Sequence, residues 1–315
     1  MPDISIVIPA HNRADLLTQA ILSIGEAAPG LDIQVIVIDD ASTQDIRGAL
    51  AGSDVLLQRL EKNSGSSVAR NIGLGLVAGR FVKFLDSDDV LVPGALCAEF
   101  ELAVATRADI VVAGWLETAM AEDQEESEIA RHAPPVFGSI IDDLLAGRAV
   151  PTSSALYEST LAKSVAWDAG LAKLNDWDYF IGAALRARKI ESLPTPAYRW
   201  RQHAGARITS STSFSGNARE FYLILGKLEA ALKAAGAYTQ PRRLRMAQYL
   251  YKELRGMYRF EKDEGRKILK WIEALDPQFV PRDEEHSDLL RLLYRFFPHE
   301  WVLSAYGFLR RWRSV

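Results

Sequence analysis

Arg80-Phe81-Val82-Lys83-Phe84-Leu85-Asp86-Ser87-Asp88-Asp89 is a short apolar strand that runs straight into three carboxylates. A strand tolerates such a cluster only where its end opens onto water or a cation. Acids this close repel one another, so ionising them together in a half-buried site demands compensating positive charge, most simply a divalent metal. Carboxylate oxygens suit Mg2+ or Mn2+, and the one-residue spacing of Asp86 and Asp88 lets two side chains approach one ion.

Upstream, the chain alternates strand and helix. Ile4 to Ile8 is a β-branched run stopped by Pro9, and Leu16, Leu17, Ala20, Ile21 and Ile24 recur at helical spacing before Gly25 to Gly30 end the helix. A second strand, Ile33 to Ile38, runs into Asp39-Asp40. Asp54 to Leu60 makes a third, and Ser66 or Ser67 caps a helix over Val68 to Ala78. Downstream come a helix from Pro93 to Thr106, a strand from Asp109 to Gly114, a candidate strand from Thr152 to Tyr157, a helix from Asn175 to Arg188 and an extended segment from Glu191 to Trp200. This order predicts an α/β fold with a mostly parallel sheet flanked by helices. Ligands on such sheets sit at the carboxyl ends of the strands, where Pro9-Ala10-His11-Asn12, Asp39-Asp40 and Asp86 to Asp89 all fall.

Motif placement argues against a dinucleotide site. The loop after the first strand lacks closely spaced glycines, and Gly73-Leu74-Gly75 lies inside a helix. Asp39 and Asp40 could cap the turn that follows them, or accept the imide N–H of a uracil ring while Pro9 and His11 pack on the base. Arg70 could face a diphosphate or a sugar hydroxyl.

In its totals, the 315-residue chain is 48% hydrophobic with a net charge of −4, which leaves room for a real core and shows no nucleic-acid footprint. The single cysteine, Cys97, fits a reducing compartment and a place in the core. No basic segment precedes an apolar run at the N-terminus, and no apolar stretch reaches the roughly 20 residues of a spanning helix. The expectation is therefore cytoplasmic. The acidic run Glu122 to Glu128 reads as a solvated loop or helix end.

Composition changes near Ser210 to Ser215. Beyond it lie amphipathic helices over Ala218 to Ala235, Arg242 to Glu261, Gly265 to Leu275 and His286 to Trp312, which we take as a helical subdomain spanning 216–315. Its last helices mix Phe296, Phe297, Trp301 and Trp312 with Arg291, Arg295, Arg310, Arg311 and Arg313. Such helices either lie on an anionic membrane or pack against the catalytic domain or a second copy in a homo-oligomer.

Four segments together carry a resemblance: Ile6 to Asn12, Val37 to Ser42, Asn63 to Gly73 and Phe84 to Asp89 occur in the order and spacing of the family 2 glycosyltransferases. The resemblance implies a GT-A fold, Rossmann-like, with a catalytic domain over 1–210, its donor half 1–115 and its acceptor half 116–210. It implies an inverting, metal-dependent transfer from a nucleotide-sugar, most simply a UDP-sugar, to a glycan or lipid-linked acceptor in polysaccharide assembly. By that resemblance Asp40 reads the uracil with Asp39 as neighbour, and His11 lies beside the base with Pro9 and Asn12. Asp86 to Asp88 resembles the DxD motif, with Asp88 on the metal (Mn2+ or Mg2+), Asp86 near the ribose or metal, and Arg70 near the diphosphate or sugar. Asp176 stands where the family has its base, although Asn175 departs from the usual Glu before it. Arg199 to His203 resembles a basic loop that in some relatives offers His, here His203, to the metal. Two other classes stay open: a nucleotidyltransferase, which would carry a Gly-rich basic loop after the first strand, and a non-catalytic sugar-nucleotide scaffold.

Overall fold

The computed structural model describes residues 1–121, 126–134, 140–145, 150–202, 214–258, 262–282 and 288–303. His203 lies outside them, as do the acidic residues 122–125 and most of the Ser/Thr-rich stretch. The chain divides into two compact units: Met1–Ile140 with Ala149–Ile208, and Ile141–Arg148 with Thr209–Val315.

In the first unit, β1 (Ile4–Ala10) is buried along its whole length, as a central strand covered on both faces must be. Its alternate side chains go to opposite faces. Ile4, Ile6 and Ile8 pack in one cluster with Leu17, Ala20 and Ile24 of α1 (Ala14–Ala27). Val7 faces α3 (Ser66–Leu76), and the approach there is close: a Cβ on Gly73 would stand 2.4 Å from Val7 Cγ1. The glycine is thus a packing requirement of the helix on the sheet.

Parallel pairing joins β1 to β2 (Ile33–Asp39) and β4 (Phe81–Phe84), and β2 to β3 (Leu56–Arg59). The strand that neighbours β4 on its other side is not the next in sequence. It is β8 (Ala155–Glu158), antiparallel, which separates β4 from β6 (Ile110–Met120). Strand β9 (Ile190–Gln202) lies parallel to β6, and the two-residue β5 (Val90–Leu91) pairs antiparallel with Tyr198 and Arg199 of β9. The sheet order is β3-β2-β1-β4-β8-β6-β9-β5.

Some local expectations fail. The cap of α3 is Gly65, with Ser66 and Ser67 inside the helix and no side-chain capping bond, and Cys97 is only partly buried and lies outside the core. The end of the acidic run is a strand, β7 (Glu126–His132), antiparallel to the distal half of β6. Its polar side chains suit an exposed edge, and the ring of His132 stacks on Trp115 at 4.9 Å. Helices α2 (Ile46–Ala49), α4 (Ala95–Thr106), α6 (Ser159–Lys163) and α7 (Asn175–Ala184) complete the first unit.

The second unit holds α8 (Phe214–Ala234), α9 (Gln240–Met257), α10 (Lys262–Leu275) and α11 (Asp288–Phe296); the helix expected over His286 to Trp312 is broken at Phe297-Pro298 and resumes over 299–303, and the rest of its expected span lies outside the described residues. Ile224, Leu228, Leu250, Leu254, Ile268 and Ile272 are buried at helical spacing. Ile141–Arg148, which holds most of α5 (Ile140–Leu145), clusters with this unit, and its Asp142 meets Arg245 at 2.6 Å and Arg242 at 3.5 Å. No described helix is long and apolar enough to cross a membrane.

Candidate active site

Parallel register brings the strand ends level. Ala10 is opposite Asp39, the Asp40 N–H donates to the Ala10 carbonyl, and the Leu85 N–H donates to that of Val7. The loops after β1, β2 and β4 therefore share one rim.

Asp39 and Asp40 have different work. Asp39 is a staple: one oxygen accepts the Ser42 N–H at 2.9 Å and the other meets Arg59 at 2.6 Å. Asp40 accepts the N–H groups of Ser64 at 2.7 Å and Gly65 at 2.8 Å, one on each oxygen, so it holds the entrance to α3. Each oxygen keeps a second lone pair. Gly65 has φ +89°, a backbone that favours glycine.

The first loop is ordered by one amide. Asn12 Oδ1 accepts from the Thr43 N–H, the Thr43 hydroxyl and the Gln44 N–H at 2.7, 2.9 and 3.3 Å. Its amide nitrogen must then donate to His11 Nε2, 3.0 Å away, which leaves Nδ1 to donate to the Asp40 carbonyl at 2.7 Å. The hydrogen bonds thus select the neutral Nδ1–H tautomer of His11. Pro9 is buried at the end of β1, paired with Ile38.

The acids after β4 meet arginines. Arg70 bonds Asp86 at 2.6 Å and Ser66 Oγ at 3.3 Å, and its guanidinium lies over the Trp167 ring, 4.4 Å from the centroid. Arg13 forms an ion pair with Asp88. Arg201 donates to the Asp88 carbonyl at 2.5 Å and bonds Gln19. Asp89 is buried, accepts from Ser153 Oγ at 2.9 Å, and has its carboxyl pushed well above the usual range by burial and by the charges of Asp86 and Asp88. Ser153 also accepts the Asp86 N–H at 3.2 Å, so Asp89 shapes the turn from beneath.

Asp176 stands in the first turn of α7, where the helix dipole favours an acid. It is half-buried and accepts the Trp177 N–H at 2.8 Å. Burial raises its carboxyl above the usual range, the Trp177 N–H and Arg70 oppose this, and Asp86 adds to it. The structure therefore groups Asp176 electrostatically with Arg70 and Asp86. Asn175, in place of Glu, donates to Ser67 Oγ at 3.1 Å and ties the start of α7 to the start of α3. Leu174, just before, has φ +52°.

Sequence reasoning missed Arg13, Asn71, Ser153 and Trp167, and it took Arg199 to His203 as a basic loop where the described residues through Gln202, Arg201 among them, belong to strand β9. Trp167 is clamped by Asn71, whose amide gives and takes a backbone hydrogen bond at 2.8 and 2.9 Å. It stacks on Tyr179 at 4.2 Å and meets Phe84 edge-on at 5.0 Å, which makes a rigid aromatic floor under Arg70.

Asp86 and Asp88 are hard oxygen donors one residue apart, and Asp86 keeps a side-chain exposure of 36%. Among the described residues no group of three His, Cys, Asp or Glu assembles as a metal site. One or two carboxylates suffice for Mg2+ when substrate phosphates supply further oxygens, so the donor set fits a divalent cation held jointly with a diphosphate.

Residues 5–153 match the family described as Glycosyl transferase family 2, and the matched stretch carries every strand end of the rim. Those residues form a family 2 glycosyltransferase domain. Among similar proteins, the succinoglycan biosynthesis protein ExoO of Rhizobium meliloti is 38% identical over 115 residues, 36% of this chain and 33% of that protein. A Campylobacter jejuni enzyme, GalNAc(5)-diNAcBac-PP-undecaprenol beta-1,3-glucosyltransferase, is 37% identical over 102 residues, 30% of this chain and 33% of its own. These matches thus span a third of each relative. The likeness in fold extends further than the sequence match: S. aureus TarS 1-349, solved in complex with UDP-GlcNAc, superposes with a TM-score of 0.65 at 17% identity, covering 97% of this chain and 89% of that one.

Proposed function

We propose that the protein transfers a sugar, with inversion, from a nucleotide-sugar to a hydroxyl of a glycan or lipid-linked acceptor in polysaccharide assembly. The observation that carries this reading is Asp176, a half-buried carboxylate grouped with Arg70 and Asp86 at the rim of a family 2 domain. Inversion needs one base on the face opposite the leaving group, and Asp176 would take the proton of the attacking hydroxyl. A UDP-sugar is the simplest donor, and the complex of TarS with UDP-GlcNAc supports it. Asp40 would accept the uracil imide N–H, with the fixed His11 ring beside the base and Arg70 toward the diphosphate. Asp88 and Asp86 would hold Mg2+ or Mn2+. When bound, that ion would supply charge neutralisation at the leaving diphosphate.

The relative named for an undecaprenol-linked substrate supports a lipid-linked acceptor. So does the second unit, where Leu292, Phe296, Phe297 and Trp301 are exposed beside Arg295, a composition suited to an anionic membrane surface. The direct test is to incubate the protein with UDP-sugars, Mn2+ and a lipid-linked saccharide. Release of UDP with loss of the donor sugar to acceptor is expected; release of pyrophosphate, or binding of UDP without turnover of any donor, would overturn the reading.

A further inference from the structure

Repulsion among the acids after β4 demands positive charge, and the chain itself supplies it. Asp86 meets Arg70, Asp88 meets Arg13 through its carboxylate, and Arg201 closes the turn through the Asp88 carbonyl. These guanidiniums come from α3, from the loop after β1 and from β9, so three elements converge on one turn.

The arginines are not equally held. The Arg201 side chain is 1% exposed and that of Arg70 is 5%, the latter stacked on Trp167 as well as paired. Arg13 is 26% exposed. Its backbone is fixed, because its carbonyl accepts the Leu17 N–H at 2.9 Å as α1 begins, while its side chain reaches across the rim. Of the three, Arg13 has the most solvent-accessible side chain.

We propose that Arg13 is an exchangeable counter-ion: a divalent cation binding Asp88 displaces its guanidinium, which then pairs with the diphosphate of the donor. The inference rests on the nucleotide-sugar reading. It follows that the cation competes with Arg13 when alone, and that nucleoside diphosphate relieves the competition by giving the freed guanidinium an anion. The two ligands are therefore coupled, and the coupling is reciprocal. The arrangement also keeps the acid turn neutralised before substrate arrives.

The test uses the full chain and two variants, Arg13→Gln and Arg13→Lys, with Mn2+ binding followed by electron paramagnetic resonance of the free ion and UDP binding by calorimetry at saturating Mn2+. For Arg13→Gln, Mn2+ alone should bind about 5- to 10-fold more tightly than to wild type, within the usual range of such couplings. UDP should bind more weakly by a similar factor. Arg13→Lys, which keeps the charge, should stay within about 2-fold of wild type for Mn2+, a smaller effect than the coupling tested. If wild type binds Mn2+ and Arg13→Gln binds it no more tightly, the exchange is refuted while the glycosyltransferase reading stands. If no form binds Mn2+ the exchange also fails, and donor turnover with chelator present then decides separately whether sugar transfer survives.

Discussion

Asp176 carries the sharpest residue-scale expectation. Asp176→Asn keeps an oxygen for the Trp177 N–H but removes the base, so kcat should fall by about 10²- to 10⁴-fold with folding intact. Because burial raises this carboxyl, it holds its proton to higher pH than an ordinary aspartate, and the acid limb of kcat/KM should lie correspondingly high. The same shift sets the stability. A carboxyl raised in the folded state favours folding at low pH, and that contribution is lost as pH rises through its folded value. The Asn variant should therefore melt higher than wild type above that pH and show no such gain below it, which thermal scans across pH would read. Pro9 to Asn12, Asp39-Asp40 and Asp86 to Asp88 were legible in the sequence because they sit at strand ends, visible as a change from apolar to polar, whereas Arg70 and Asp176 lie on helices α3 and α7 and stood out through the family resemblance. Trp167 and Ser153 were not legible: what makes them part of the site is contact with Asn71 and Asp89, far away in the chain and invisible to spacing.

At the scale of elements, the strands of the donor half were legible from β-branched runs, whereas their neighbours were not. Nothing in the period of β8 says that it inserts antiparallel between β4 and β6, since periodicity reports burial and not partner. Likewise β7 is polar, and its pairing rests on backbone groups that any sequence supplies. A second hidden feature joins β4 to α4. Lys83 and Glu99 are both fully buried, and the ammonium contacts the two carboxylate oxygens at 2.7 and 2.8 Å. Removing one member leaves a buried charge without compensation, at a cost of about 3–5 kcal/mol, while replacing both by apolar side chains is often neutral. Lys83→Met should therefore lower the urea midpoint strongly, and Lys83→Met with Glu99→Leu should recover most of the loss. Equal losses in the single and double variants would refute that account.

For the molecule as a whole, the two units invite separate tests. In the helical unit the apolar exposure between Leu292 and Trp301 predicts that Phe296→Ser with Trp301→Ala weakens sedimentation with anionic vesicles and leaves UDP binding unchanged. Loss of a dimer by the same variant, with vesicle binding unaltered, would instead make that face a contact between copies. The first unit is knit together by α3. Its entrance is held by Asp40 through Ser64 and Gly65, its next residues reach Asn175 through Ser67, and its following turn carries Arg70 and Asn71. One short turn thus touches both the nucleotide pocket proposed above and the residue before the proposed base. Filling that pocket would seat the turn, and with it Asp176, before any hydroxyl needs to be deprotonated. The two substrates should accordingly arrive in a compulsory sequence, donor leading. UDP should inhibit competitively against the donor and non-competitively against the acceptor, and Asn175→Ala should blur that pattern toward random order.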